Sequence, residues 1–179
     1  MREFSSSYAS ALIKLAIETD SLDEIFEQIM IIKEEIISNP NFIKILDAPM
    51  IAVEDKLSVA DETFKGKINV YLLNFIKILV EKGAMHEFVN CANAFEKLYN
   101  EDKNIEKVTA VTAIPLNEKL TEKLIKKLET VTGKTIVLVN QVDPECMGGI
   151  VLRLENSQID GSIKTKLEAI KTQMFSIIA

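Results

Sequence analysis

The chain has 179 residues, 47% of them hydrophobic, and a mean hydropathy of +0.14, enough apolar material for one packed domain or two small ones. Its net charge of −6 and isoelectric point near 5.0 argue against a nucleic-acid partner, since such binding releases phosphate counterions and needs a basic surface. No uncharged apolar run approaches the roughly 18 residues that span a bilayer, so direct membrane insertion is excluded and membrane association is expected through a partner.

The charge is unevenly spread. Residues 1 to 104 carry 11 basic and 18 acidic groups, net −7, and residues 105 to 179 carry 10 and 9, net +1. Different partners are therefore expected for the two parts. Cys91 and Cys146 have no C-x-x-C spacing and no adjacent histidine, so neither zinc nor a disulfide framework is expected, and a reducing compartment fits. The start, Met1-Arg2-Glu3-Phe4, carries an acid at once and lacks an Arg-rich, acid-poor leader, which favours a bacterial or already processed chain.

In chain order, Ser5-Ser6-Ser7 offers N-caps for a first helix with Tyr8, Leu12, Leu15 and Ala16 on one face, kept thin by Ala9 and Ala11. Ser21-Leu22-Asp23-Glu24 reads as a capping box opening a second helix, whose Leu22, Ile25, Ile29, Ile32 and Ile36 alternate steps of three and four. Asn39-Pro40 ends it and starts a short third helix carrying Phe42, Ile43 and Leu46. Leu57, Ala60 and Phe64 mark a fourth, up to Gly66.

The fifth, Ile68 to Lys82, is the most apolar. Ile68, Leu72, Phe75, Ile76 and Leu79 form one side, and Tyr71, Leu73, Ile78 and Val80 widen it beyond a single face, leaving core or docking surface as two open readings. Gly83 stops it. Phe88, Ala92, Phe95 and Tyr99 define a sixth, and the polar run Asn100 to Asn104 is the expected domain boundary.

Ten of the eleven Phe and Tyr residues precede that boundary, so the two parts have differently built cores. Val108 to Ile114 reads as a strand. Pro115-Leu116-Asn117 turns into a helix with Leu120, Leu124, Leu128 and Val131 inside and Lys119, Lys123, Lys126 and Lys127 outside. Thr135 to Val142 is a second strand.

From Val142 almost every residue has a structural task. Asp143-Pro144 opens a turn, and Gly148-Gly149 admits a conformation or close approach that a side chain would block. Ile150 to Leu154 is a strand, Glu155-Asn156-Ser157 a tight turn, and Gln158-Ile159 a return. Asp160-Gly161-Ser162 can cap a last helix with Ile163, Leu167, Ile170, Met174 and Ile177 along one edge. The expected fold class is α+β: a six-helix bundle over 1–104, then a small α+β domain over 105–179 ordered βαβββα.

Catalytic signals are weak beside their structural explanations. His86 has no nucleophile or acid at a triad spacing and reads as a solvated or capping residue. Asp143 and Asp160 each precede a backbone-special residue, so turn formation explains both. Gly148-Gly149 leads into a strand where a phosphate loop needs a helix N-terminus, so no nucleotide site is expected. The lysines of the second-part helix alternate with Glu118, Glu122 and Glu129 and read as a solvated face. No cofactor, metal or catalytic residue is expected, although a helical adaptor and a small enzyme at the Asp143 loop stand as rival classes.

Val142-Asp143-Pro144, Gly148-Gly149, the strand through Arg153, and Ile159-Asp160-Gly161-Ser162-Ile163 closely resemble the signature of the δ subunit of bacterial F-type ATP synthases, relatives of the mitochondrial oligomycin-sensitivity-conferring protein. Tyr8-Ala9-Ser10-Ala11-Leu12, Glu81-Lys82-Gly83 and Pro115-Leu116 extend the resemblance over the whole chain. The family commonly has a glycine in the turn where this chain has Glu155-Asn156.

The resemblance implies a non-catalytic stator subunit that ties the α/β head to the membrane-anchored b subunits, on the cytoplasmic face of a bacterial membrane. It implies that an α-subunit N-terminal segment lies in a groove between the first and fifth helices, formed by Tyr8, Ala11, Leu12 and Leu15 facing Phe75, Ile76, Leu79 and Val80. It also implies b-subunit contacts on the last helix, with Leu167, Ile170 and Met174 as candidates.

Overall fold

The computed structural model describes residues 2–146, 148–154 and 157–167. Within them the apolar rhythms of the first hundred residues become α1 (Arg2–Glu18), α2 (Leu22–Ser38), α3 (Pro40–Asp47), α4 (Val53–Phe64), α5 (Val70–Glu81) and α6 (Phe88–Asp102). Contacts divide the chain into two units, Met1–Asp102 and Lys103–Ala179.

In α2 the five residues of the three-and-four rhythm, Leu22, Ile25, Ile29, Ile32 and Ile36, are all buried. They meet Ala9, Leu12, Ile13 and Ala16 of α1, Leu72, Ile76, Leu79 and Val80 of α5, and Phe88, Ala92 and Phe95 of α6 in one core. Small residues on α1 (Ala9, Ala16) and α6 (Ala92) let these two helices pack side by side although one opens the unit and the other closes it. At the rim, Phe26 stacks on Tyr99 with ring centroids 3.8 Å apart, and the Tyr99 hydroxyl donates to Asp23 at 2.9 Å.

Helix starts depart from expectation. α1 begins at Arg2 and runs through the serines, and the Ser5 hydroxyl donates to Glu87, 2.9 Å away. The expected capping box does not form: Ser21 makes no side-chain cap bond, and its hydroxyl lies 2.7 Å from that of Thr19. Glu24 instead accepts from Gln28 at 3.1 Å and from Asn69 at 3.0 Å. α5 starts two residues later than expected, where the Asn69 side chain accepts from the Tyr71 N–H at 3.0 Å.

The second unit is built on a four-stranded mixed sheet in the order β2-β1-β3-β4, from β1 (Ile105–Thr112), β2 (Thr135–Val142), β3 (Ile150–Arg153) and β4 (Gln158–Asp160). β1 runs parallel to β2, Ile105 opposite Thr135 and Thr112 opposite Val142, and antiparallel to β3, Thr112 opposite Ile150. A parallel pair needs a crossover, which α7 (Glu118–Thr132) supplies, its N-terminus capped by Asn117 accepting from Leu120 N–H at 2.8 Å.

The core of this unit is Val108, Ala110, Leu128, Ile136 and Leu152, with Leu124 and Ile125 packed on it. The buried stripe of α7 is therefore turned toward Ile125, and Leu120 and Val131, expected inside, are exposed. Residues 163–167 are helical. The expected Glu155-Asn156 turn and the last helix beyond residue 167, with Ile170, Met174 and Ile177, lie outside the described residues.

Candidate functional site

The expected groove residues separate into two sets. Leu12, Phe75, Ile76, Leu79 and Val80 are buried in the bundle's own core, where the burial of Leu12 at 5% exposure leaves it unavailable to a partner. Tyr8 and Leu15 are half-buried and Ala11 is exposed. The Tyr8 ring meets that of Phe75 edge-on at 6.5 Å, so this stripe of α1 lies beside α5.

Tyr71 and Ile78 stand four residues before and three after Phe75, on the same side of α5, and are 37% and 42% exposed. The accessible face is thus Tyr8, Ala11 and Leu15 with Tyr71 and Ile78, and the buried residues are its floor. Tyr71 and Ile78 were legible as surplus apolar residues of the fifth helix, and their exposure is what sets them apart from Ile76 and Leu79.

Behind α1 lies a polar centre that sequence spacing does not reveal. Glu87 sits in a short 3-10 turn, Met85–Glu87, and its carboxylate accepts from Ser5 Oγ and Asn90 Nδ2, both at 2.9 Å. The hydrogen bonds from Asn90 and Ser5 hold its carboxyl below the usual glutamate range, outweighing burial, which acts the other way. His86 is 2.7 Å from Asp47, whose carboxylate also accepts the backbone N–H groups of Met85 and His86, pinning the turn to the end of α3. Burial pushes the neighbouring Cys91 thiol up to about 11, which removes it as a nucleophile at neutral pH.

In the second unit the signature residues gather where β3 and β4 meet the start of the terminal helix. Gly149 has φ +81°, and a Cβ there would stand 2.5 Å from the Gly161 carbonyl oxygen and 3.0 Å from Ser162 Cα. Two backbone segments therefore touch where a side chain would separate them, and Gly161 N–H donates to Ile150 O at 2.9 Å beside that contact. Asp160 accepts from Ser162 N–H and Thr165 Oγ1, both at 2.8 Å, and these bonds lower its pKa. Ser162 is buried, and its hydroxyl accepts from Thr165 N–H at 3.2 Å, capping the helix.

Asp143 N–H donates to Thr112 O at 2.9 Å and Pro144 opens a short 3-10 turn, so Val142-Asp143-Pro144 closes β2 against β1. Arg153, Val142 and Ile159 are exposed, as is Leu167. Asn140, which carries no sequence motif, donates to Ala110 O and Thr112 Oγ1 and accepts from Leu116 N–H, all at 2.9 Å, and so fastens β2, β1 and the approach to α7. Asp143 and Asp160 are both engaged in turn and cap geometry, as their places before Pro144 and Gly161 led one to expect.

A family model described as the ATP synthase delta (OSCP) subunit matches residues 4–174. The chain belongs to this family. Similar proteins include the ATP synthase subunit delta of Lactobacillus gasseri, 34% identical over 173 residues that cover 96% of this chain and 94% of the relative. That of Alkaliphilus oremlandii is 30% identical over 174 residues, covering 97% of each. Among solved structures, a chain of the Toxoplasma gondii mitochondrial ATP synthase hexamer shares the fold, with a TM-score of 0.74 and 22% identity over 96% of this chain and 97% of that one.

The delta-family chain is accordingly a peripheral-stalk subunit of the F-type ATP synthase, a structural component of a rotary machine and not a catalytic one. Among the described residues no helix is long and apolar enough to cross a membrane.

Proposed function

We propose that the first unit, as a six-helix bundle, holds the catalytic head by taking the amphipathic N-terminal segment of an α subunit on the α1–α5 face. We further propose that the second unit, completed as βαβββα, binds the C-terminal ends of the b subunits through its last helix, from Leu167 onward. The subunit then sits at the cytoplasmic face of the bacterial membrane, held there by the complex.

The observation that carries the first assignment is the stripe of Tyr8, Ala11 and Leu15 beside the exposed Tyr71 and Ile78. Exposed Ala11 lets a second helix approach closely, and the flanking rings supply apolar contact with little rotamer entropy to lose. An apolar contact of about 400 Å² at about 25 cal/mol/Å² contributes roughly 10 kcal/mol before the entropy of association, which removes a large part. Slow dissociation of that kind suits a stator.

Titration calorimetry with a synthetic peptide of the cognate α-subunit N-terminus tests this. Saturable one-to-one binding, weakened at least about tenfold by Ala11→Asp, is the expected result. Tight binding by a folded Ala11→Asp protein would remove the α1–α5 face from the account.

A further inference from the structure

We propose that the free edge of β2 is a strand-addition site, which takes an extended segment of another protein with basic and apolar residues in alternation. The site involves neither the α1–α5 face nor the last helix and stands apart from both assignments.

Thr135 N–H donates to Asn104 O at 3.0 Å and Asp143 N–H to Thr112 O at 2.9 Å, and the pairs between them run without a bulge. The odd-numbered residues of β2 therefore turn their backbone groups toward β1, and Ile136, Leu138, Asn140 and Val142 turn theirs outward. The order β2-β1-β3-β4 places no described strand beyond them. Among the described residues only the Ile136 N–H of this row finds an acceptor, Glu129 Oε1 at 3.5 Å.

Sheet edges usually carry a lysine, a proline or a bulge, or are very short, and each device blocks pairing with another chain. β4, the opposite edge, is 3 residues long. β2 is 8 residues long and holds no charge and no proline between Thr135 and Val142. A helix has already spent its own backbone groups, so only an extended segment answers this row of donors and acceptors with its main chain.

The charge beside the edge selects the side chains. Ile136 and Leu138 face α7 in the core, while Val137 and Val139 are exposed on the other face of the sheet. α7 packs on β2, and its Glu129 reaches the outward side of the strand. At about 100° per residue, Glu118 and Glu122 fall within about 40° of Glu129 around the helix, whereas Lys119, Lys123, Lys126 and Lys127 occupy a separate sector away from the sheet. Neither Glu118 nor Glu122 has a side-chain partner among the described residues.

A strand added along β2 sets alternate side chains beside these carboxylates and the others beside Val137 and Val139. Lysine or arginine suits the first set, and valine or isoleucine the second. A second copy pairing through its own β2 is a poor occupant, because it brings two carboxylate rows together and its β2 has no basic residue to offer.

The test uses the full chain with labelled valine and leucine methyls and a synthetic peptide of about nine residues that alternates lysine with valine. The peptide is expected to shift the Val137 and Val139 methyls and to slow hydrogen exchange at the Leu138 and Asn140 amides at least about tenfold, with little change at the amides of Val137 and Val139, which already face β1. N-methylation at its lysines or at its valines gives two further peptides. Alternate amides of an added strand face β2, so one of these is expected to bind at least about tenfold more weakly than the other. The advantage of the lysine peptide over a glutamate–valine peptide is expected to vanish in the Glu118→Lys, Glu122→Lys double variant, whose changes lie at exposed positions.

No methyl shift and no slowed amide at about 1 mM lysine peptide would overturn the proposal. Equal binding of the two methylated peptides would do the same, since it would reduce the contact to charge alone. So would an unchanged lysine preference in the double variant. Leu138 and Asn140 amides that slow as the protein is concentrated, with no peptide present, would assign the edge to a second copy and end the proposal.

Discussion

Glu87 shows how much one side chain can organise when its partners are distant in sequence. Its carboxylate joins Ser5 near the start of α1 to Asn90 in α6, and the residue is only 6% exposed. Glu87→Ala removes the acceptor that Ser5 and Asn90 share in a buried site and is expected to cost about 2 kcal/mol in urea denaturation at neutral pH. Because its folded pKa is depressed, the carboxylate's contribution is present above the ordinary glutamate range and is lost as pH falls through the lower folded value. The difference between wild type and Glu87→Ala should therefore hold steady near neutrality and narrow below about pH 4; a difference that grew with acid would mean the charge is not what stabilises.

Gly149 poses the opposite case, a residue whose work is to have no side chain. Gly149→Ala places a methyl 2.5 Å from the Gly161 carbonyl oxygen at a positive φ, and it is expected to destabilise the second unit by about 2 kcal/mol or more. Methyl spectra of the full chain would check it: resonances of Val108 and Leu152 should broaden or shift while those of Ile25 and Ile76 stay put. Uniform changes in both sets would contradict a local effect.

At the scale of elements, legibility in the sequence depended on the range of the interaction. The helix interiors were legible because apolar residues spaced by three and four must share a face, and Leu22 to Ile36 of α2 is buried throughout that rhythm. The turn residues were legible because Asp143-Pro144 and Gly148-Gly149 constrain their own backbones. Helix starts were not, since Ser5 answers to a carboxylate 82 residues away and Ser21 to a neighbouring threonine.

The docking face fell between these cases: the rhythm placed Tyr8, Ala11, Leu12 and Leu15 on one side of α1, but which of them the bundle keeps for itself depends on the angle at which α5 packs. Leu12→Asp is accordingly expected to unfold the first unit, costing about 3 kcal/mol or more by burying a carboxylate in the core, whereas Ala11→Asp should keep its melting temperature and lose only the peptide. Circular dichroism melts separate the two. A stable, helical Leu12→Asp protein would show that α1 is not part of the core.

For the molecule as a whole, each unit has its own hydrophobic core, one helical and aromatic-rich, the other built on Val108, Ala110, Ile136 and Leu152. Two cores joined at Asp102 and Lys103 should unfold as two transitions, and Gly149→Ala should lower the temperature of one only. Differential scanning calorimetry would read both. A single transition lowered as a unit by Gly149→Ala would mean that the two cores stand or fall together.

The side-by-side packing of α1 and α6 acquires a mechanical meaning in a stator. If the head grips α1 and the stalk pulls on the chain beyond α6, the load enters the bundle on its first helix and leaves on its last. Because those two helices touch along their small residues and are bridged by Ser5, Glu87 and Asn90, the most direct route for the force crosses their shared seam, in shear, before it reaches Asp102. α2 packs on both of these helices and shares the load, whereas α3 and α4 lie off that route. They are free to carry other attachments without being part of the path that bears the torque.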